Sequence, residues 1–251
     1  MDDAERIRLA ATFDSAAELY DRARPRFAEA AVDWALPVGA RRVLDLGAGT
    51  GKLTASLVER GLDVIAMDPS PNMLALLRDR FPDVDARGGS AEAIGLPDAA
   101  VDAVVAGSAF HWFARPAADA EIARVLRPGG RVGLLWNQRD PSSPTVAAFD
   151  AAQRHATEPQ VQEGSDVTLD GRWFWATERA EFPHVQPVTR DQLVELVASR
   201  SYVIAMGEPD RTELLDRVRG FAVECAGPAG GATGSLGNAA AESLGDAAAE
   251  S

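Results

Sequence analysis

The chain has 251 residues, an ordinary apolar fraction of 46% and a formal net charge of −13. That length suits one α/β domain with an insertion, or at most two small domains, and the apolar content suffices for a substantial core. The acidic balance, with Lys52 the only lysine and the arginines scattered, argues against a nucleic-acid surface, and the single cysteine, Cys225, excludes a disulfide framework or a cysteine-based zinc site. Met1 to Arg8 is charged with no apolar core behind it, and no run approaches the roughly twenty apolar residues of a bilayer span. The expectation is a soluble cytoplasmic protein with no membrane partner.

Residues 14–36 read as two short helices broken at Pro25, a residue suited to a first helical position. A strand over 42–46 then runs into Gly47-Ala48-Gly49-Thr50-Gly51, and a helix over 52–60 follows. Glycine at every second position permits positive φ and lets a ligand lie almost on the main chain. The next strand, 63–67, ends at Asp68; a glycine turn answered by a carboxylate one βα unit later reads as a nucleoside-binding device. The spacing G-x-G-x-G, with Lys52 where a third glycine would stand, argues against a dinucleotide, and no P-loop occurs. A tight turn without a ligand is the plain alternative.

Ser70 and Pro71 open a helix over 70–80 whose Met73, Leu74 and Leu77 share a face. A short strand over 84–87 leads to Gly89-Ser90-Ala91-Glu92, a strand over 101–106 to Gly107-Ser108-Ala109-Phe110-His111-Trp112-Phe113, and a helix over 117–126 to the stop signal Arg127-Pro128-Gly129-Gly130. Strand 131–136 follows, ending Trp136-Asn137-Gln138-Arg139. Repeated β-α-β units imply a doubly wound, mostly parallel sheet with helices on both faces, its ligands at the carboxyl ends of the strands.

From Asp140 to about Glu178 the pattern lapses into an insertion with one helix running to about His155 and the cluster Trp173-Phe174-Trp175; it is expected as a helical lid after the fifth strand. Strand signals return over 180–188, Thr189 caps a helix, and another spans about 210–224. Beyond residue 226 the chain is Ala-, Gly- and Ser-rich with a near-repeat, Ser235–Glu242 and Ser243–Glu250. Such composition buries little apolar surface, so 227–251 is expected as a flexible or weakly helical tail, and no terminal strand is apparent.

The first motif, Asp45-Leu46-Gly47-Ala48-Gly49-Thr50-Gly51, resembles that of the class I S-adenosylmethionine-dependent methyltransferases. Ala109-Phe110-His111-Trp112-Phe113 and Leu126-Arg127-Pro128-Gly129-Gly130 sharpen the likeness to small-molecule enzymes similar to trans-aconitate methyltransferase, over about residues 11–221. The resemblance implies a Rossmann-like methyltransferase domain over 1–226, with the lid at about 140–178, and S-adenosyl-L-methionine as cofactor. It assigns Gly47, Gly49, Gly51, Asp45, Asp68, Pro69, Met73, Ser90, Ala91, Glu92, Ser108 and Phe110 to the cofactor side. Tyr20 and Arg24 are placed at the cofactor's methionine end, or else pack the helix down. Asp68 takes both ribose hydroxyls; related enzymes often carry an acid at the position of Ser90, so the backbone of Ala91 is expected to share in holding the adenine.

His111 serves as a base for a hydroxyl acceptor or as a wall residue, and Asn137 orients the acceptor. Phe110 and Trp112 offer a π-face to a sulfonium or pack against the next helix. Trp136 and Arg139 are placed with substrate, Arg139 either on a carboxylate or in solvent. His155 and His184 lie apart, and no ligand spacing suggests a metal. O-methylation of a small carboxylate or hydroxyl is the expected reaction, with C-methylation of the quinone-pathway type or a non-catalytic cofactor-binding module as alternatives. An NAD(P) oxidoreductase is disfavoured because no Tyr-x-x-x-Lys pair occurs.

Overall fold

Five strands rich in Val, Leu, Ile and Ala pair in parallel: β1 (Arg42–Leu46), β2 (Asp63–Asp68), β3 (Asp85–Gly88), β4 (Val101–Gly107) and β5 (Leu126–Gln138), in the order β3-β2-β1-β4-β5. The computed structural model describes residues 17–140, 142–154, 167–175, 177–226, 234–235 and 238–246. The chain divides into two units: Arg26–Asn137, Gln162–Pro183 and Ala239–Ser251 build around the sheet, and Met1–Pro25, Gln138–Val161 and His184–Asn238 form the other.

Side chains alternate across the sheet with the two-residue period of a strand. Leu44, Leu46, Ile65, Met67, Val104, Ala106, Leu134 and Trp136 enter one apolar cluster, while Val43, Val64, Ala103, Val105 and Leu135 enter another. Both faces are buried, as a parallel sheet requires. Helices α1 (Ala17–Ala23) and α2 (Glu29–Ala35) precede β1, and α3 (Lys52–Glu59), α4 (Pro71–Arg80) and α5 (Ala117–Val125) make the crossovers. Pro25 stands in the linker between α1 and α2 and not at a first helical position, since α2 starts at Glu29. Ser70 caps α4 as expected, its Oγ accepting from the Met73 N–H at 3.1 Å. The Arg127–Gly130 signal does not separate helix from strand: β5 already starts at Leu126, and the register jumps from Val101↔Leu126 to Ala103↔Arg131. Those residues bulge out of the ladder, with Gly129 at φ +77°.

The insertion does not behave as one piece. Its helix α6 (Pro144–Gln153) shares an apolar core with α7 (Arg190–Ala198), α8 (Ser201–Ile204) and α9 (Glu208–Ala226) through Phe149, Leu193, Val197, Val203, Leu214, Val218 and Phe221. An Arg22–Glu195 pair at 3.5 Å ties α1 to α7 in the same unit. Residues 167–175 instead belong to the sheet unit, where Leu169 and Phe174 are buried while Trp173 and Trp175 are partly exposed. The strand expected over 180–188 is two strands, β6 (Glu178–Pro183) and β7 (Pro187–Val188). The tail departs from its expected lack of strand. β8 (Gly234–Ser235) pairs antiparallel with β7, and β9 (Asn238–Asp246) lies between β5 and β6, giving the main sheet the order β3-β2-β1-β4-β5-β9-β6. No helix among the described residues is long and apolar enough to cross a membrane.

Candidate active site

The order of the parallel strands reverses between β1 and β4, and in open α/β sheets ligands bind beyond the carboxyl ends of the strands at such a point. Gly47 and Ala48 donate their N–H groups to Met67 O at 2.8 and 3.0 Å, pinning the glycine turn to the end of β2. Gly47 has φ +74°, and a Cβ there would stand 2.5 Å from Ala109 Cβ. Only glycine lets this turn touch the segment that follows β4. Gly49, at φ +57°, has nothing within 4 Å of the place a Cβ would take, so the backbone there borders open space. Gly51, at φ +88°, caps α3.

Asp68 ends β2 almost buried. Its Oδ2 accepts from the Gly49 N–H at 2.9 Å and its Oδ1 from the Ser70 N–H at 2.8 Å. The carboxylate therefore shapes the glycine turn directly. Asp45, on β1, is wholly buried; its Oδ2 accepts from Thr54 Oγ1 at 2.6 Å, and its Oδ1 has no partner among the described residues. Burial, reinforced by the Asp68 charge and opposed by the Thr54 hydrogen bond, pushes its pKa up to about 7. Thr50 Oγ1, inside the turn, is likewise buried without a partner among the described residues. An open glycine backbone beside an acid, with the Asp45 and Thr50 oxygens unpartnered among the described residues, fits a ligand carrying hydroxyls and an ammonium better than a pyrophosphate.

Pro69, Met73, Ser90, Ala91, Glu92 and Ser108, also predicted on the cofactor side, follow the ends of β2, β3 and β4. Pro69 is exposed at the bend after Asp68, and Met73 is buried one turn into α4. After β3, Ser90 bridges Ala93, Ala91 is buried, and Glu92 Oε1 accepts from the Ala114 N–H at 2.5 Å. Glu92 thus holds the loop after β4, a role its place in the sequence does not suggest. Ser108 takes φ +51°, uncommon for a residue with a side chain, while its N–H donates to Leu135 O at 2.8 Å.

Phe110, His111 and Trp112 form a single 3₁₀ turn. His111 is half-buried, its ring 4.8 Å from that of Trp112. Phe110 does not offer an open π-face: it is buried in the core, edge-on to Phe113 at 5.4 Å, with the Arg115 guanidinium 5.2 Å from its ring centre. Trp136 is also a core residue, wholly buried, because β5 alternates it onto the same face as Val132 and Leu134. Asn137, the next residue, donates from Nδ2 to Arg26 O at 3.2 Å.

Three predicted residues belong to the other unit. The Arg24 guanidinium lies 5.2 Å from the Tyr20 ring centre. Arg139 pairs with Asp150 at 2.8 Å and stands over Phe149, so it is committed although partly exposed. His184 lies between β6 and β7, and His155 falls outside the described residues. Sequence reasoning missed Arg115 and Asp119, whose bidentate ion pair lies beside the His111 turn. Their four-residue spacing was the available signal, but nothing in it told that Asp119 points inward.

Residues 44–134 match the model of a methyltransferase domain. The chain is 47% identical over 211 residues to an uncharacterized methyltransferase of Mycobacterium tuberculosis, covering 84% of this chain and 85% of that protein. It is 38% identical over 169 residues to a malonyl-[acyl-carrier protein] O-methyltransferase of Methylococcus capsulatus (60% of each chain). It is 36% identical over 150 residues to a demethylmenaquinone methyltransferase of Renibacterium salmoninarum (56% of this chain, 62% of that one). The structure of a putative type II methyltransferase from Anaeromyxobacter dehalogenans shares the fold, with a TM-score of 0.62 at 23% identity over 89% of this chain and 97% of that one. Near-full-length identity to a methyltransferase, on a sheet whose glycine turn and Asp68 are built as described, places this chain in the class I S-adenosylmethionine-dependent methyltransferase family.

Proposed function

We infer that this chain methylates an oxygen, carboxylate or hydroxyl, of a small molecule. The observation that carries the reading is the abutment of the glycine turn on the segment bearing His111, where Gly47 leaves no room for even a methyl group beside Ala109. On this reading the loops assigned to cofactor and to acceptor adjoin at the Gly47–Ala109 contact. When bound, S-adenosyl-L-methionine supplies a methyl group on a cationic sulfonium. Gly47–Gly51 and Asp68 would hold its nucleoside, with Ser90 and Ala91 beside the base.

What the chain itself contributes is alignment and exclusion of water, the larger part of the acceleration for an in-line displacement. A carboxylate acceptor arrives nucleophilic and needs no base. For a hydroxyl acceptor His111 would take the proton, the general-base task for which histidine is most often used. Asn137, next to the last residue of β5, would orient an acceptor oxygen. The malonyl-[acyl-carrier protein] O-methyltransferase among the relatives supports an O-acceptor; the demethylmenaquinone methyltransferase supports the carbon alternative.

Calorimetry with S-adenosylmethionine and S-adenosylhomocysteine tests the first half: heat is expected with both and none with NADH. A S-adenosylhomocysteine-release assay across small carboxylic acids, phenols and demethylated quinones tests the second. Turnover confined to quinones would move the assignment to carbon, and binding without turnover of any acceptor would favour a non-catalytic module.

A further inference from the structure

Asp119 is wholly buried on α5, and a charge there is tolerated only if it is paired and hydrogen-bonded. Arg115 supplies the pairing through a two-nitrogen fork: Nε lies 2.9 and 3.0 Å from the two carboxylate oxygens, and Nη2 contacts Oδ2. A buried ion pair of this kind gives little net stability over apolar side chains of the same volume; what a planar fork gives is geometry. The same guanidinium covers the ring of Phe110, the first residue of the turn carrying His111 and Trp112. On its other side, Asp119 Oδ2 accepts from the Asp170 N–H at 3.2 Å. Leu169 and Phe174, flanking that amide, sink into the same apolar cluster as Phe110 and Trp136.

We propose that Asp119 is a positioning residue that fixes the Phe110–Trp112 turn and the 169–174 segment to one another, and so sets the acceptor side of the site. One carboxylate thus links α5 to the Asp170 amide 51 residues along the chain and, through Arg115, to the Phe110 ring. Glu92 completes the arrangement by grasping Ala114, so that the backbone just beyond the turn is held from the β3 loop and the next side chain from α5. The consequence for catalysis rests on the functional reading above, that the His111 turn faces the acceptor. The tether itself does not.

Hydrogen exchange of the full chain, followed by mass spectrometry, tests it in wild type, Asp119→Asn and Arg115→Gln, the last at a partly exposed site that should fold regardless. Both variants are expected to raise exchange about tenfold in the peptides covering 108–116 and 167–175 together, with the β1 and β2 peptides unchanged. The dissociation constant for S-adenosylhomocysteine should stay within about threefold of wild type. With any acceptor that turns over, KM for the acceptor should rise while KM for S-adenosylmethionine holds, and Arg115→Lys should restore part of the loss. Loosening of one segment alone, or of the whole sheet equally, would overturn the proposal. Failure of wild type to bind S-adenosylhomocysteine would instead bring down the functional reading and leave the exchange result to judge the tether.

Discussion

Gly47 and Gly49 share positive φ but have opposite surroundings, one packed against Ala109 and the other bordering open space. Gly47→Ala forces a methyl against Ala109, so it should lose roughly 1–3 kcal/mol of stability on chemical denaturation. Gly49→Ala meets only open space; its stability cost should be about 1 kcal/mol, yet calorimetry should show a disproportionate loss of cofactor affinity. Asp68→Ala removes the acceptor of the Gly49 N–H and, on the proposed reading, of the ribose, and should weaken S-adenosylhomocysteine binding by about 2–3 kcal/mol; wild-type affinity in that variant would refute the ribose assignment. Asp45 carries the pH dependence. Its folded pKa of about 7 lies above the ordinary value of 3.8, so the native state holds the extra proton between those limits. This contribution is fully present below pH 3.8 and declines as pH rises to about 7, with a slope of up to about 1.4 kcal/mol per pH unit. Asp45→Asn should remove that component from the stability–pH profile, measured by thermal unfolding. The glycine spacing and the two acids were legible as residue types. The burial that raises Asp45, and the orphaned Oδ1, depend on Thr54 and on the face of β1 that packs beneath α3.

At the scale of elements, local chemistry foretold the starts of helices better than the extents of strands. Thr189 forms a complete capping box, its Oγ1 accepting from the Gln192 N–H at 3.2 Å while Gln192 Oε1 accepts from the Thr189 N–H at 2.8 Å. Thr189→Ala should cost about 1 kcal/mol in denaturant-induced unfolding. Ser70 and Ser143 act similarly, each one residue ahead of a proline at the start of its helix. Such signals lie within four residues and survive without tertiary context. β5 shows the opposite case: Arg127–Gly130 reads as a stop, yet the ladder to β4 continues past it because the neighbouring strand supplies hydrogen-bond partners on both sides of the bulge. β9 was invisible for a related reason. Asn238–Asp246 contains no β-branched or aromatic residue, so its place in the sheet comes from main-chain pairing and not from side-chain propensity.

For the molecule as a whole, that strand makes a prediction. A chain ending at Ala226 lacks β9 and leaves the edges of β5 and β6 unpaired, so it should unfold at lower denaturant and aggregate more readily than the full chain. A flexible tail would instead leave the midpoint unchanged, and equilibrium unfolding distinguishes the two. The lid expected between about 140 and 178 divides because α6 carries an apolar face, Val146 and Phe149, matched by Leu193, Val197 and Leu214, whereas Leu169 and Phe174 match the sheet. Sequence proximity carried no information on which core each half would join.

By itself the sequence determined the alternating β/α order, the parallel core of the sheet, the glycine turn with its answering acid and the family, because each is written in short-range periodicity, turn chemistry or local motif. Only the tertiary structure decided that Phe110 and Trp136 are core, that Arg139 is paired, that Glu92 accepts from the Ala114 amide and Asp119 from that of Asp170, and that the tail supplies a strand. Each of those outcomes is set by which distant group a side chain or backbone edge meets, and burial and pairing are properties of the pair, not of either residue alone.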